Sequence, residues 1–244
     1  MARKTTSRKT AKKPGLRARG GAFLRRVLRW LVRGVFWGVV VMLVWVLAYR
    51  WINPPTTIYI EQERARLGSV AQTWVDLEDM APVMARAAVA AEDANFCLHW
   101  GFDVEAIREA IEDGSGRGAS TISQQVVKNA FLWQGRSWVR KAMEAALTPV
   151  METLWPKRRV IEIYLNVAEF DEGVFGVGAA SQHYFGRDVA DLTARQAGLL
   201  AAILPSPKTR SAARPTDFVS RRANSVADGA ATILADGRAD CFED

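Results

Sequence analysis

From residue 34 to residue 49 the chain is uncharged, a run of Gly, Val, Phe, Trp, Met, Leu, Ala and Tyr. At 1.5 Å per residue this run falls a little short of a bilayer core, but Trp51 and Ile52 extend it, and Arg33 and Arg50 can snorkel. A transmembrane helix over 34–52 is therefore predicted, with Trp30, Trp37, Trp45, Tyr49 and Trp51 as candidates for interfacial belts. Asn53-Pro54-Pro55 breaks it, and 56–60 is predicted as a short strand. Past Glu61 the apolar positions recur at helical spacing almost throughout. Helices are predicted near 80–92, 103–112, 121–131, 138–154, 157–166, 174–184, 193–203 and 216–235. Pro82 suits a first helical turn, Asp103 and Ser137 read as N-caps, and Thr193 with Gln196 fits a capping box. Pro149 is expected to kink or split the helix that contains it. Gly and Pro mark turns at 114–118 and 204–207. There is no internal repeat and no strand–helix alternation of the kind that builds a parallel sheet, so the body is mainly α.

Charge sharpens this division. Residues 1–33 hold 12 Lys and Arg and no acid, whereas 34–244 hold 21 Lys and Arg against 26 Asp and Glu, a balance near −5. The net +7 thus belongs to the N-terminus, which argues against a nucleic-acid-binding body. Residues 2–20 are too polar to bury anything and are expected to be disordered. The excess of basic residues ahead of the span predicts a cytoplasmic tail over 1–33, an anchor over 34–52, and a body over 53–244 outside the membrane. No Ala-x-Ala follows the apolar run, so it reads as an anchor and not as a cleaved signal. The two cysteines, Cys97 and Cys241, have no metal-ligand spacing. Outside the cytoplasm a disulfide persists, and the two are expected to pair, tying the tail under the 92–99 turn; the alternative is one buried and one free thiol.

Three stretches carry candidate chemistry. Glu92 to Asp103 reads Glu-Asp-Ala-Asn-Phe-Cys-Leu-His-Trp-Gly-Phe-Asp and follows an Ala- and Val-rich helix. A carboxylate leaving an apolar helix at a turn can keep a raised pKa and serve as a general base; the alternative is an ordinary surface helix end. On a helical wheel Thr121, Gln124, Gln125 and Lys128 share one face, which suits a sugar or phosphate, although such stripes are usually solvated. Arg140 and Glu144 stand four apart with Lys141 beside them. On a surface that pair would mean little, but facing a cleft it would clamp a pyrophosphate.

Taken together and in order, these stretches resemble the peptidoglycan glycosyltransferases, the lysozyme-like domain of class A penicillin-binding proteins. Glu92-Asp93-x-x-Phe96-x-x-His99-x-Gly101-x-Asp103 resembles the family's first motif, and Gly118-x-Ser120-Thr121-Ile122-x-Gln124-Gln125-x-x-Lys128-Asn129 the second. Arg140-Lys141-x-x-Glu144 is similar to the third, and Lys157-x-x-x-Ile161-Glu162-x-Tyr164-Leu165-Asn166 to the fourth. Gly173-x-x-Gly176-x-x-x-Ala180 with Tyr184-Phe185-Gly186 resembles the fifth. The likeness covers about residues 60 to 210. Ala119 departs from the usual second glycine of motif two, and Pro149 interrupts a helix that the family continues.

The resemblance implies a mainly α, lysozyme-like domain behind a single transmembrane helix in the inner membrane, with the N-terminus cytoplasmic and the catalytic domain periplasmic. It implies that lipid II is joined to a growing lipid-linked glycan with release of undecaprenyl pyrophosphate. Glu92 would be the general base on the acceptor 4-hydroxyl and Glu144 the second acid, near the leaving group. Lys128, Arg136, Arg140 and Lys141 would surround the pyrophosphate, and Ser120, Thr121, Gln124 and Gln125 would line the sugar sites. Phe96, His99 and Gly101 would hold the Glu92 turn. No obligatory cofactor is implied. Some members use a divalent cation, Mg or Mn, for which Asp93 and Glu144 are the candidate ligands. Other cell-wall synthesis and division proteins are the implied partners.

Phe131, Leu132, Trp133 and Trp138 are candidates for a lipid-facing lip, with core packing as the alternative. No serine after the anchor has a lysine three residues later, so a transpeptidase is excluded. A lysozyme-like hydrolase would also place Glu at a helix end but would not need Lys128, Arg136 and Arg140. An inactive scaffold would be expected to lose Glu92 or Glu144.

Overall fold

The computed structural model describes residues 16–112, 120–135 and 137–243, so the 114–118 turn and the first 15 residues of the basic tail lie outside it. The described residues form two units, one ending at Trp45 and the other beginning at Val46.

Helix α1 (Leu16–Ala48) is longer than the uncharged run and begins inside the stretch expected to be disordered. The Leu-, Val- and Arg-rich segment after Gly21 holds no proline and continues the backbone ladder of the apolar run. The most apolar 18 residues within Arg25–Ala48 have mean hydropathy 2.2 and only 6% of them are buried, so the helix is long and apolar enough to cross a membrane. The helix stops at Ala48, and Tyr49 belongs to the body, where its ring stacks 5.5 Å from Phe131 and its carbonyl accepts from Arg159 Nε at 2.9 Å.

The strand expected over 56–60 is instead the start of helix α2 (Ile58–Leu67). Thr57 is its N-cap and accepts from the Ile60 amide at 3.2 Å; capping outweighs the β preference of the Thr-Thr-Ile run. A small sheet also forms that the sequence pattern does not mark. Strands β1 (Ala71–Gln72), β2 (Glu169–Asp171) and β3 (Val174–Phe175) lie in the order β1-β3-β2, with β1 parallel to β3 and Ala71 opposite Val174. Strands of two or three residues carry no readable period. Because β3 takes up 174–175, the helix expected from 174 starts later, as α8 (Val177–Phe185).

The core has two layers around the 92–103 stretch. Helix α3 (Pro82–Glu92) packs on α9 (Ala194–Ile203) and α10 (Asp217–Ala235), with Met84, Ala85, Ala87, Ala88 and Val89 buried. The approach of α9 to α10 is close: a Cβ on Gly198 would sit 2.4 Å from the Ala223 carbonyl oxygen. On the other side α5 (Ile122–Phe131) lies between α6 (Trp138–Leu154) and α7 (Lys157–Val167). Pro149 does not split α6. It removes one ladder bond, while Thr148 Oγ1 donates to the Glu144 carbonyl at 2.7 Å and the flanks pack on α5. Helix α4 (Val104–Glu112) follows the N-cap Asp103, whose Oδ1 accepts from the Ala106 amide at 2.9 Å.

Candidate active site

Glu92 is the last residue of α3, and the chain turns there because Asp93 leaves the helical region at φ −161° while its side chain is captured from two directions. Asp93 Oδ2 accepts from the Ile122 amide at 2.9 Å, and Oδ1 lies 2.8 Å from His99 Nε2. The Gly101 amide donates to His99 Nδ1 at 3.2 Å, so Nε2 carries the ring proton and donates to Asp93. Gly101 sits at φ 86°, and a Cβ there would meet Thr148 Cγ2 at 2.5 Å. Its carbonyl accepts from Thr121 Oγ1 at 2.6 Å. Lys157 closes the arrangement by donating to the His99 carbonyl and to Glu152 Oε1, each at 2.8 Å, with its ammonium 4.4 Å from the Phe96 ring centroid. His99, Phe96 and Gly101 thus hold the turn, as the resemblance implied.

Burial pushes the Glu92 carboxyl above its ordinary range, against the pull of the Gln125 hydrogen bond and the charges of Arg222, Lys128 and Arg210. Gln125 Nε2 donates to Glu92 Oε2 at 2.9 Å. A cavity of about 480 Å³ opens beside Glu92, lined among others by Asn95, Asp103, Ser120 and Thr121. On α7 the Tyr164 hydroxyl is buried with no hydrogen-bond partner among the described residues, and its pKa is raised by burial and by the charges of Glu92 and Asp93.

The polar face expected on α5 is not a stripe. Ile122, Ser123, Gln124, Val126, Val127 and Asn129 are all buried, and only Gln125 and Lys128 are partly open. Thr121 and Gln124 form the capping box of the helix through Thr121 Oγ1 and Gln124 Oε1, while Ser120 and Thr121 line the cavity beside Glu92. Lys128 is mostly buried. Burial lowers its pKa, with Glu144 and Glu92 opposing the shift and Arg140 and Lys141 adding to it. Among the described residues its ammonium forms no ion pair or hydrogen bond.

On α6, Ser137 caps the first turn and accepts from the Arg140 amide at 3.4 Å. Glu144 is 3% exposed, and both its oxygens are engaged: Arg140 Nη1 at 2.7 Å and Lys141 Nζ at 2.5 Å. Glu144 is thus a buried carboxylate held by two cations, Arg140 mostly buried and Lys141 partly exposed, and not half of a surface pair worth tenths of a kcal/mol. Arg136 lies outside the described residues. The lip candidates divide: Phe131 and Leu132 are core, Trp133 is half-buried, and Trp138 is 92% exposed.

A divalent cation does not fit this donor set. Asp93 spends both oxygens on protein donors, Glu144 is taken by two cations, and no group of three His, Cys, Asp or Glu is placed to hold a metal among the described residues. Cys97 and Cys241 are bonded, with Cα atoms 5.7 Å apart, as expected. Arg210 and Arg222 are additions that the motif spacing does not mark. Arg222 reaches from α10 to donate to the Ala91 carbonyl at 3.1 Å, and no local pattern signals it.

Residues 61–231 match the family model described as Transglycosylase. A biosynthetic peptidoglycan transglycosylase of Jannaschia sp. (strain CCS1) is 67% identical over 214 residues, which is 88% of this chain and 90% of that protein. Proteins of the same description from Pseudomonas fluorescens and Caulobacter vibrioides are 44% and 42% identical. The first covers 83% of this chain and 89% of its own length, the second 91% and 99%.

Proposed function

The chain belongs to the transglycosylase family, and we propose that Glu92 and the Lys128–Glu144 cluster divide its reaction between them. It is a peptidoglycan glycosyltransferase that polymerises glycan strands for the cell wall. Its acceptor is lipid II, its donor the growing lipid-linked glycan, and its leaving group undecaprenyl pyrophosphate. Glu92, kept basic by burial, takes the proton of the acceptor 4-hydroxyl, and that oxygen attacks C1 of the donor MurNAc. The C1–O bond to the pyrophosphate breaks, and the departing anion meets the ammonium groups of Lys128 and Lys141 and the guanidinium of Arg140. The resemblance also assigns Arg136, which lies outside the described residues, to the pyrophosphate. Glu144 holds Arg140 and Lys141 in register so that they present their remaining N–H groups to the phosphates. Ser120 and Gln125 line the acceptor side.

The observation that carries this reading is Lys128, a mostly buried ammonium with no anion or carbonyl bound to it among the described residues, lying within electrostatic reach of both Glu92 and Glu144. A buried, unpaired cation is costly unless a ligand supplies the counter-charge. A hydrolase acting on neutral, lipid-free glycan has no such counter-charge to offer.

An anchor suits lipid-bound substrates that diffuse in a bilayer. The 12 Lys and Arg of 1–33 support an inner-membrane orientation with the N-terminus cytoplasmic and the body periplasmic. Purified full chain supplied with lipid II should yield long glycan and free polyprenyl pyrophosphate. Cleavage of lipid-free glycan without polymerisation would overturn the reading.

A further inference from the structure

Beyond α10 the chain returns to the stretch that carries Glu92 and ties itself to this region four times. Arg238 Nη1 donates to the Ala94 carbonyl at 3.1 Å, and Cys241 is bonded to Cys97 across 144 residues of chain. Phe242, fully buried, sets its ring 6.2 Å from that of Phe96, and Glu243 pairs through both oxygens with Arg86 of α3 at 2.9 and 3.0 Å. The segment is itself braced. Asp236 holds the Arg238 guanidinium from Nε and Nη2 at 2.9 and 2.8 Å, and Gly237 at φ 77° makes the bend into the short helix α11 (Asp240–Glu243). Arg238, Cys241, Phe242 and Glu243 do not line the cavity beside Glu92.

The turn they grip has little rigidity of its own. Between Asp93 and Leu98 its backbone closes through the Phe96 amide to the Asp93 carbonyl and the Leu98 amide to the Asn95 carbonyl, at 2.9 and 2.7 Å. Asp93, His99 and Lys157 secure it from the α5 and α7 side, and the C-terminal segment meets Ala94, Phe96 and Cys97 from the other. A reactive group displaced by about 1 Å can lose on the order of 10²-fold in rate, so whatever fixes the turn fixes the base.

We propose that residues 236–243 are a positioning clip for the transfer reaction: by pinning Ala94, Phe96 and Cys97 they hold the turn on which Glu92 leaves α3 in place against the acceptor hydroxyl. The inference rests on the reading of Glu92 as the base. It makes the bond between Cys97 and Cys241 a lock on turnover as well as a brace for the fold.

The test uses the full chain with lipid II, at a temperature where circular dichroism shows every sample folded. It compares oxidised wild type, wild type reduced with a phosphine, Arg238→Ala, Arg238→Lys and Glu92→Gln. Reduction and Arg238→Ala should each lower kcat about 10- to 100-fold while leaving KM within about twofold, the pattern of an interaction needed only in the transition state. Arg238→Lys, which can still donate to the Ala94 carbonyl, should recover most of the rate, and reoxidation should restore the reduced enzyme. Oxidised-level kcat in both reduced wild type and Arg238→Ala, with Glu92→Gln inactive, would overturn the clip alone. So would a kcat loss that merely follows the folded fraction. Wild-type turnover by Glu92→Gln would remove the base assignment and the clip with it.

Discussion

Glu92→Gln is expected to damage activity and improve stability at the same time, which few substitutions do. The amide keeps the shape of the side chain, and its oxygen can still accept from Gln125 Nε2, now 2.9 Å from Glu92 Oε2. Loss of the base should lower kcat about 10²- to 10⁴-fold, or about 3–5 kcal/mol of barrier. The stability change has the opposite sign. Burial raises the folded-state pKa of Glu92 above its ordinary 4.5, so the stability this carboxyl contributes is complete below that ordinary value and is lost as pH rises through the folded one. Each unit of the shift costs about 1.4 kcal/mol once Glu92 is ionised. Gln cannot ionise and escapes the cost. The variant should therefore melt with the wild type near pH 4 and above it at pH 8, by roughly 2–4 °C for each kcal/mol in a body of this size. Thermal melts in detergent across that pH range, run beside a lipid II polymerisation assay, give both numbers. In the wild type the rate should climb with pH along one acid limb as Glu92 loses its proton. A variant that polymerises at wild-type rate, or that melts below the wild type at pH 8, would refute the argument.

Lys128→Met removes a buried ammonium that has no counter-ion among the described residues, so it should raise the melting temperature slightly while lowering kcat at least about 10²-fold; a polymer assay beside calorimetry checks both. Gly101→Ala forces a side chain into φ 86° and onto Thr148 Cγ2, and should cost about 1–3 kcal/mol in denaturant melts along with much of the activity, because the His99–Asp93 hold shifts. Reducing the Cys97–Cys241 bond, which closes a loop over 144 residues, should cost up to about 5 kcal/mol by the chain-entropy relation and so lower the melting temperature by roughly 10–20 °C, as read by melts with and without reductant. Alkaline phosphatase fused after Asp244 should be active on intact cells; an inactive fusion with an active cytoplasmic reporter at the same position would reverse the topology.

Most of the helices are legible in local chemistry alone. Pro82, Ser137 and the Thr193–Gln196 box mark helix starts because capping and the proline ring act within one turn of chain. The uncharged run announces an apolar helix for a related reason: length and composition alone determine whether a segment suits hydrocarbon. Motif spacing brings Glu92, Lys128, Arg140, Lys141 and Glu144 forward as candidates, and within α6 it works because residues three and four apart on a helix are neighbours wherever the helix lies. Thr57 shows the limit of such reading, because the same β-branched run serves a strand or an N-cap, and only the chain that follows decides.

Tertiary structure decided what each candidate does. Gln124 and Gln125 are adjacent and chemically identical, yet Gln124 closes a local capping box with Thr121, whereas Gln125 reaches Glu92 33 residues away only because α5 packs beside the end of α3. Arg222 and Arg238 contribute by reaching carbonyls 131 and 144 residues away, and nothing near them in the chain signals this. The raised carboxyl of Glu92 and the ammonium of Lys128, unpaired among the described residues, are likewise products of neighbours drawn from α5, α6 and α10. Backbone propensity and capping extend over a few residues and can be read along the chain. Desolvation and pairing depend on what folding brings within a few ångströms, and that is set only when the helices pack.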